Sequence, residues 1–370
     1  MNDKVKLPNE LEALMQSILR WSPQHPYSRQ RLLDEFVNPP VGLKKRKTYP
    51  QDWSSYNAAQ TREKIIMMFI LDELLDNIPF CERKSVGRKG IPRRDQIFYM
   101  VLQTYNVKSS RRCIADIELC RQLGFISKTS HFNTVLKCLN NPENIAYLKH
   151  LIMVAGLPLV DVEDSFAVDS SGFSTSQFDR WFDVRFDKDK KKEIRRFRKA
   201  HIIIGTKTNI ITAANVTEGY SGDSPEFAEL IRNTGNLFSI KEVSADKAYS
   251  SRNNLEIVSN AGGVAFIPFK SNATGRPQGP WIWRQMFDFF KYNRAAFDQH
   301  YHKRSNVETT FHMLKMKFDK RVRSKNPVGQ ENEILAKCLT HNLCVLVQEA
   351  FELGINIDFE KCAKIPIAHE

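Results

Sequence analysis

Between residues 161 and 345 short apolar runs alternate with amphipathic stretches, and their order constrains the fold more than any other feature. Ser165-Phe-Ala-Val-Asp169 reads as a short buried strand. His201 to Ile204 and Ile210 to Val216 read as two more, joined by the turn-like Gly205 to Asn209. Asp223-Ser224-Pro225-Glu226 predicts a helix start, with Asp or Ser as cap and proline in the first turn. A fourth strand, Ile240 to Ala245, ends at Asp246. Arg252 to Ala261 then reads as a helix, Gly263 to Pro268 as a fifth strand, and 281 to 297 as an aromatic helix before a final helix. Three strands, then helix, strand, helix, strand, helix, predict an α/β fold around a mixed sheet.

The final helix of that series carries Tyr301, Arg304, Glu308 and Lys315. At about 100° per residue these four side chains fall within an arc of about 60°. Val307, Phe311, Leu314 and Phe318 form an apolar stripe beside them. One face is therefore expected to be buried, while a phenol, a guanidinium, a carboxylate and an ammonium gather along its edge. Asp169 is read as closing the first strand, and Asp246 lies just past the fourth. If those strands are neighbours, their carboxylates and Glu308 surround one cavity. Three carboxylates can hold two divalent cations. Two such ions about 3.5–4 Å apart suit an in-line phosphoryl displacement.

The charge balance fits a polyanionic partner. Lys plus Arg number 55 and Asp plus Glu 42, so the net charge is 55 − 42 = +13. Nucleic acid comes first on that ground and an anionic membrane surface second. Seven scattered cysteines argue against a disulfide framework and for a reducing compartment. Met1 to Trp21 has no basic start followed by an apolar core, so no secretory signal is expected. The longest apolar run, Ile65 to Leu71, is too short to span a bilayer.

Residues 1–160 read as a mostly helical N-terminal domain that binds DNA. Leu7 to Leu19 and Gln60 to Asn77 carry helical patterns, separated by the basic connector Asn38 to Lys47. Asp95 to Thr104 and a second helix from Ser110, capped by Ser109 or Ser110, form either a helix-turn-helix or a plain helical hairpin. In the first reading Lys108, Arg111 and Arg112 face DNA. Lys190, Lys191, Lys192, Arg195 and Arg196, in the basic run Lys188 to Lys199, either grip phosphates or form a solvated loop. Residues 161–345 are the expected catalytic domain, with a short insertion at about 270–300, and 346–370 a C-terminal helix and tail. Cys338, His341 and Cys344 fall in the apolar helical pattern Glu331 to Leu353, so they read as buried helix rather than zinc ligands.

The motifs Ala-Val-Asp169-Ser-Ser-Gly, Ala-Asp246-Lys-Ala-Tyr249 and Tyr301-x2-Arg304-x3-Glu308-x6-Lys315 resemble the DDE transposases of bacterial insertion sequences, within the group carrying that Tyr-Arg-Glu-Lys signature. Gly219 to Pro225 is also similar to such proteins. The resemblance covers about 164 to 320 and implies a ribonuclease H-like core. It also implies metal ligation by Asp169, Asp246 and Glu308, with two Mg²⁺ or Mn²⁺ ions per site. It implies cleavage at transposon ends and 3′-OH strand transfer, DNA phosphates held by Tyr301, Arg304, Lys315 and Tyr249, and a homodimer on DNA. No membrane or small-molecule substrate is expected, and the location implied is the bacterial cytoplasm, at the nucleoid. From Asp246 to Glu308 is 308 − 246 = 62 positions, too few for the large β-rich insertion of some relatives. Trp281 and Trp283 lie in that gap and read as packing residues, or else as platforms for a flipped base. The competing readings are a non-catalytic DNA-binding derivative and a nuclease of the same fold without strand transfer.

Overall fold

The computed structural model describes residues 52–81, 90–175, 197–275, 279–360, 362, 365 and 367. The expected helix Leu7 to Leu19, the connector Asn38 to Lys47, and Lys190, Lys191, Lys192, Arg195 and Arg196 lie outside the described residues. The described chain opens with α1 (Trp53–Asp76), seven residues before the predicted start. Asp52 caps it, its carboxylate accepting from Ser55 N and Oγ at 3.1 and 2.9 Å. Four shorter helices follow: α2 (Arg93–Asn106), α3 (Ser110–Gln122), α4 (Phe132–Leu139) and α5 (Glu143–Val154). Val107 makes the α2–α3 turn in the left-handed region at φ 50°, and Ser109 caps α3.

The strands are β1 (Ser165–Ser174), β2 (Phe197–Gly205) and β3 (Ile211–Glu218), then β4 and β5 interleaved with helices. In chain order these are α6 (Phe227–Gly235), β4 (Glu242–Ala245), α7 (Arg252–Asn260) and β5 (Val264–Phe266). Their order in the sheet is β3-β2-β1-β4-β5. The β1–β2 and β2–β3 pairs are antiparallel, and the β1–β4 and β4–β5 pairs are parallel. This is the expected ribonuclease H-like sheet with helices on both faces. The aromatic stretch is two helices rather than one, α8 (Trp281–Tyr292) and α9 (Arg294–Tyr301), broken where Asn293 leaves helical dihedrals. Then come α10 (Ser305–Lys317) and α11 (Pro327–Glu352).

Successive strand residues point to opposite faces, so the sheet feeds two cores. Phe166, Val168, Ile203, Val243 and Ala245 pack with α6 and α7. Ala167, Phe173, Ile202 and Ile204 pack with α10, α11 and the helices before residue 160. The long helix α11 is buried along most of its length, and its polar residues join the layers. Asn342, fully buried, donates to the carbonyls of Ile152 (3.0 Å) and Ile211 (2.7 Å) and accepts from Ile211 N (2.9 Å). His341 Nε2 donates to the Asn209 carbonyl at 2.9 Å, and Cys338 and Cys344 are buried in the same helix. All seven cysteines are free.

Asn342→Ala would strand three buried backbone groups of α5 and β3. It is expected to lower unfolding free energy by about 2–4 kcal/mol, read from the urea midpoint at unchanged slope. A loss below about 0.5 kcal/mol would mean that this joint carries no weight.

Candidate active site

Asp169 lies in the middle of β1, not at its end as the sequence suggested, because β2 continues to pair with β1 as far as Ser174. The parallel neighbour β4 stops earlier. Val168 opposite Ala245 is the last β1–β4 pair, so Asp169 and Asp246 are the next residues in register. Adjacent strands lie about 4.8 Å apart, and matched positions in a parallel pair share a face. That face is the one to which Ala167 and Phe173 point, beneath α10. Each carboxylate is oriented by the backbone that follows it. Ser170 N donates to Asp169 Oδ1 at 2.8 Å, and Lys247 N donates to Asp246 Oδ1 at 2.6 Å.

The Tyr301 to Lys315 segment is not one helix. Tyr301 ends α9, His302–Arg304 form a 3₁₀ turn, and Glu308 and Lys315 sit on α10. Ser305 Oγ bonds back to the His302 carbonyl (2.9 Å) where the ladder tightens. The apolar stripe Val307, Phe311, Leu314 and Phe318 is buried as expected. The polar residues still converge on β1. Arg304 Nη1 donates to Asp169 Oδ2 (3.1 Å) and its Nη2 donates to Glu308 Oε1 (2.5 Å). The same guanidinium lies over the Tyr301 ring at 5.9 Å. Lys315 Nζ donates to Ser171 Oγ at 2.6 Å, two residues along β1 from Asp169.

Burial pushes the Asp169 carboxyl up to about 6; the Ser170 N–H and Arg304 oppose the shift, and Asp246 and Glu308 add to it. Burial also pushes the Lys315 ammonium down to about 8, against the pull of Asp169. Asp246 and Glu308 thus both bear on Asp169, and a guanidinium stands between Asp169 and Glu308. Among the described residues no group of three or more His, Cys, Asp and Glu side chains is arranged to hold a metal ion. The donor chemistry nevertheless fits a hard divalent cation, because Asp169, Asp246 and Glu308 offer only carboxylate oxygens. Arg304 is the group that such a cation would have to displace.

A family model described as the transposase DDE domain matches residues 162–343. That segment belongs to the DDE transposase family. It begins just before β1, takes in all five strands and α10, and ends inside α11. Neither the curated proteins nor the solved structures contain a match to the chain. The family points to transposase activity, and so to DNA as partner and to an enzyme of the nuclease or transposase kind. Among the described residues no helix is long and apolar enough to cross a membrane.

Within this DDE domain, other expected site residues fall in different surroundings. Tyr249, expected at a DNA phosphate, is only 1% exposed, with its ring against Phe227. Lys199, part of the expected phosphate-gripping run, is a buried residue of β2 whose ammonium pairs with Asp223. Asp223 was expected to cap a helix, yet its side chain makes no capping bond and accepts from Ser170 Oγ instead (2.7 Å). Trp283 is buried against Phe269 and donates to the Thr274 carbonyl (2.9 Å), whereas Trp281 is 75% exposed. Outside the domain, Arg111 and Arg112 are exposed at the start of α3, with Arg111 over the Phe132 ring at 4.6 Å. Lys108 is paired with Asp116 at 2.9 Å. Sequence reasoning missed Ser170, Ser171 and Asp223 as partners of the site, and only the Gly219 to Pro225 resemblance hinted at the last.

The raised Asp169 carboxyl makes the stability of the chain depend on pH. Its native pKa exceeds its ordinary 3.8, so the stability linked to its proton is full below pH 4 and lost as pH rises through 6. With chelator present, Asp169→Asn is expected to gain about 1–3 kcal/mol on the parent chain between pH 4 and pH 7.5. Urea unfolding at both pH values measures it; a difference that does not change with pH would contradict the assignment.

Proposed function

We propose that the chain is a DNA transposase that cuts at transposon ends and joins the freed 3′-OH to target DNA. The observation that supports this most is the alignment of Asp169 and Asp246 at the end of the β1–β4 pairing, with Glu308 tied to Asp169 through Arg304. Asp169, Asp246 and Glu308 are the residues that would hold Mg²⁺ or Mn²⁺, two ions per site. When bound, these ions supply an activated attacking oxygen and charge stabilisation at the leaving one. Once its carboxylates are engaged elsewhere, Arg304 turns its fork to a phosphate, the bidentate partner it suits best. Lys315, held beside Asp169 by Ser171, adds a second cation for non-bridging oxygens, and Tyr301 supports Arg304 with its ring.

Residues 1–160, whose described helices include α3 with Arg111 and Arg112 exposed, serve in this reading as a DNA-binding region. Residues 161–345 carry the chemistry, with the insertion at about 270–300, and 346–370 close the chain. Lys190, Lys191, Lys192, Arg195 and Arg196 add phosphate contacts, making binding salt-sensitive. Two copies would act on paired ends.

Incubation with labelled element-end DNA and Mg²⁺ tests the proposal by its products: nicked, double-cut and joined strands. Asp169→Ala and Glu308→Ala should each keep end binding and lower cleavage by on the order of 10² to 10³ or more. Cleavage that survives Asp169→Ala refutes the assignment. Cut strands without joined ones would indicate a hydrolytic nuclease, and binding without any cutting by the parent chain a non-catalytic DNA-binding protein.

A further inference from the structure

On the face of β1 opposite Asp169, a second carboxylate is held by two groups, with a buried imidazole close by. Ser170 points to that face by the alternation of the strand. Its Oγ donates at 2.7 Å to Oδ1 of Asp223, which enters from the loop after β3. The Lys199 ammonium pairs with the same oxygen, and His201 Nδ1 lies 3.5 Å from it. Both residues come from β2: His201 is opposite Ser170 in register and Lys199 is opposite Gly172. The Lys199 side chain is 4% exposed and that of His201 is fully buried. Lys199 also donates to the Ser221 carbonyl (3.1 Å), and His201 Nε2 bonds Thr217 Oγ1 (2.8 Å). The buried Tyr249 ring brings its hydroxyl beside Ser170 and Asp223.

A buried ammonium–carboxylate pair adds little net stability over apolar packing of the same volume, but it does fix a geometry. The place where this geometry is fixed matters. Beyond Val168, β1 has lost β4 as its partner, so one side of the strand is without ladder bonds where Asp169 must be aimed. Asp223 anchors Ser170 there from behind, and the Ser170 N–H holds Asp169 Oδ1 in front.

We propose that Asp223 is a positioning residue that sets the Asp169 carboxylate through Ser170, and so tunes the affinity of the divalent-ion site without touching it. The proposal rests on Asp169 being a metal ligand. Losing an outer partner of a metal ligand typically costs 10- to 100-fold in affinity.

The test is Mn²⁺ titration of the full chain without DNA, by calorimetry, on Ser170→Ala, Ser170→Thr, Asp223→Asn and the Ser170→Ala/Asp223→Asn double variant. Ser170→Ala removes the link and leaves the Lys199 pair intact, so it serves even if Asp223→Asn folds poorly. About a tenfold or greater loss of Mn²⁺ affinity is expected in Ser170→Ala and in Asp223→Asn, no further loss in the double variant, and recovery in Ser170→Thr. End-DNA binding should not change, and the half-saturating Mg²⁺ for cleavage should rise in parallel while the maximal rate returns at excess metal. Unchanged Mn²⁺ affinity in folded Ser170→Ala, or losses that multiply in the double variant, would overturn the proposal. Mn²⁺ binding that is equal in Asp169→Ala and the parent chain would instead overturn the active-site reading, and this proposal with it.

Discussion

The short parallel ladder between β1 and β4 is the constraint on which the site depends. It runs only from Ser165–Glu242 to Val168–Ala245. Had β4 been two residues longer, Asp246 would be a strand residue rather than the first residue of a turn. Because the ladder stops there, two acidic residues emerge side by side at the sheet's centre. The antiparallel partner β2 keeps β1 straight beyond that point, so Asp169 leaves one ladder without leaving the sheet. A carboxylate held this way is rigid in its backbone and incompletely solvated, which is why its proton is held more tightly than usual.

The rest of the molecule holds α10 over that spot. Its apolar stripe enters the same core as Ala167 and Phe173, and α11 closes the core from behind. Lys337, buried in α11, donates to the carbonyls of Asp319 (2.9 Å) and Arg321 (2.5 Å), which fixes the segment that leaves α10. Lys317, at the end of α10, donates to Glu63 of α1 at 2.5 Å, and Tyr105 of α2 donates to the same carboxylate at 2.9 Å. The helices before residue 160 therefore bear directly on the helix that carries Glu308.

The strand order and both aspartates were legible in the sequence because β-branched runs and turn residues mark strands locally. The length of β1 was not. Ser170, Ser171 and Gly172 have little intrinsic strand preference, and only pairing with β2 keeps them extended. The break before α10 escaped for a different reason. A 3₁₀ turn rotates about 120° per residue against about 100°, so three residues shift the phase by only about 60°, too little to erase a helical spacing. Charge patterns could not separate Lys199 from its basic neighbours, since its burial follows from β2 and from Asp223, 24 positions away by 223 − 199. The Ser170–Asp223 bond likewise joins the middle of β1 to the loop after β3, two places that no local pattern connects.

Arg304 makes the chain its own counter-ion. With one guanidinium shared by Asp169 and Glu308, the acids are partly neutralised before any other cation arrives. In the proposed reading a divalent ion would compete with that side chain for the same oxygens, so whatever drew the fork aside, a phosphodiester above all, would strengthen ion binding by the same factor by which the ion strengthened phosphate binding. Reciprocity of this kind would leave the protein weakly loaded on its own and fully loaded only on its nucleic acid.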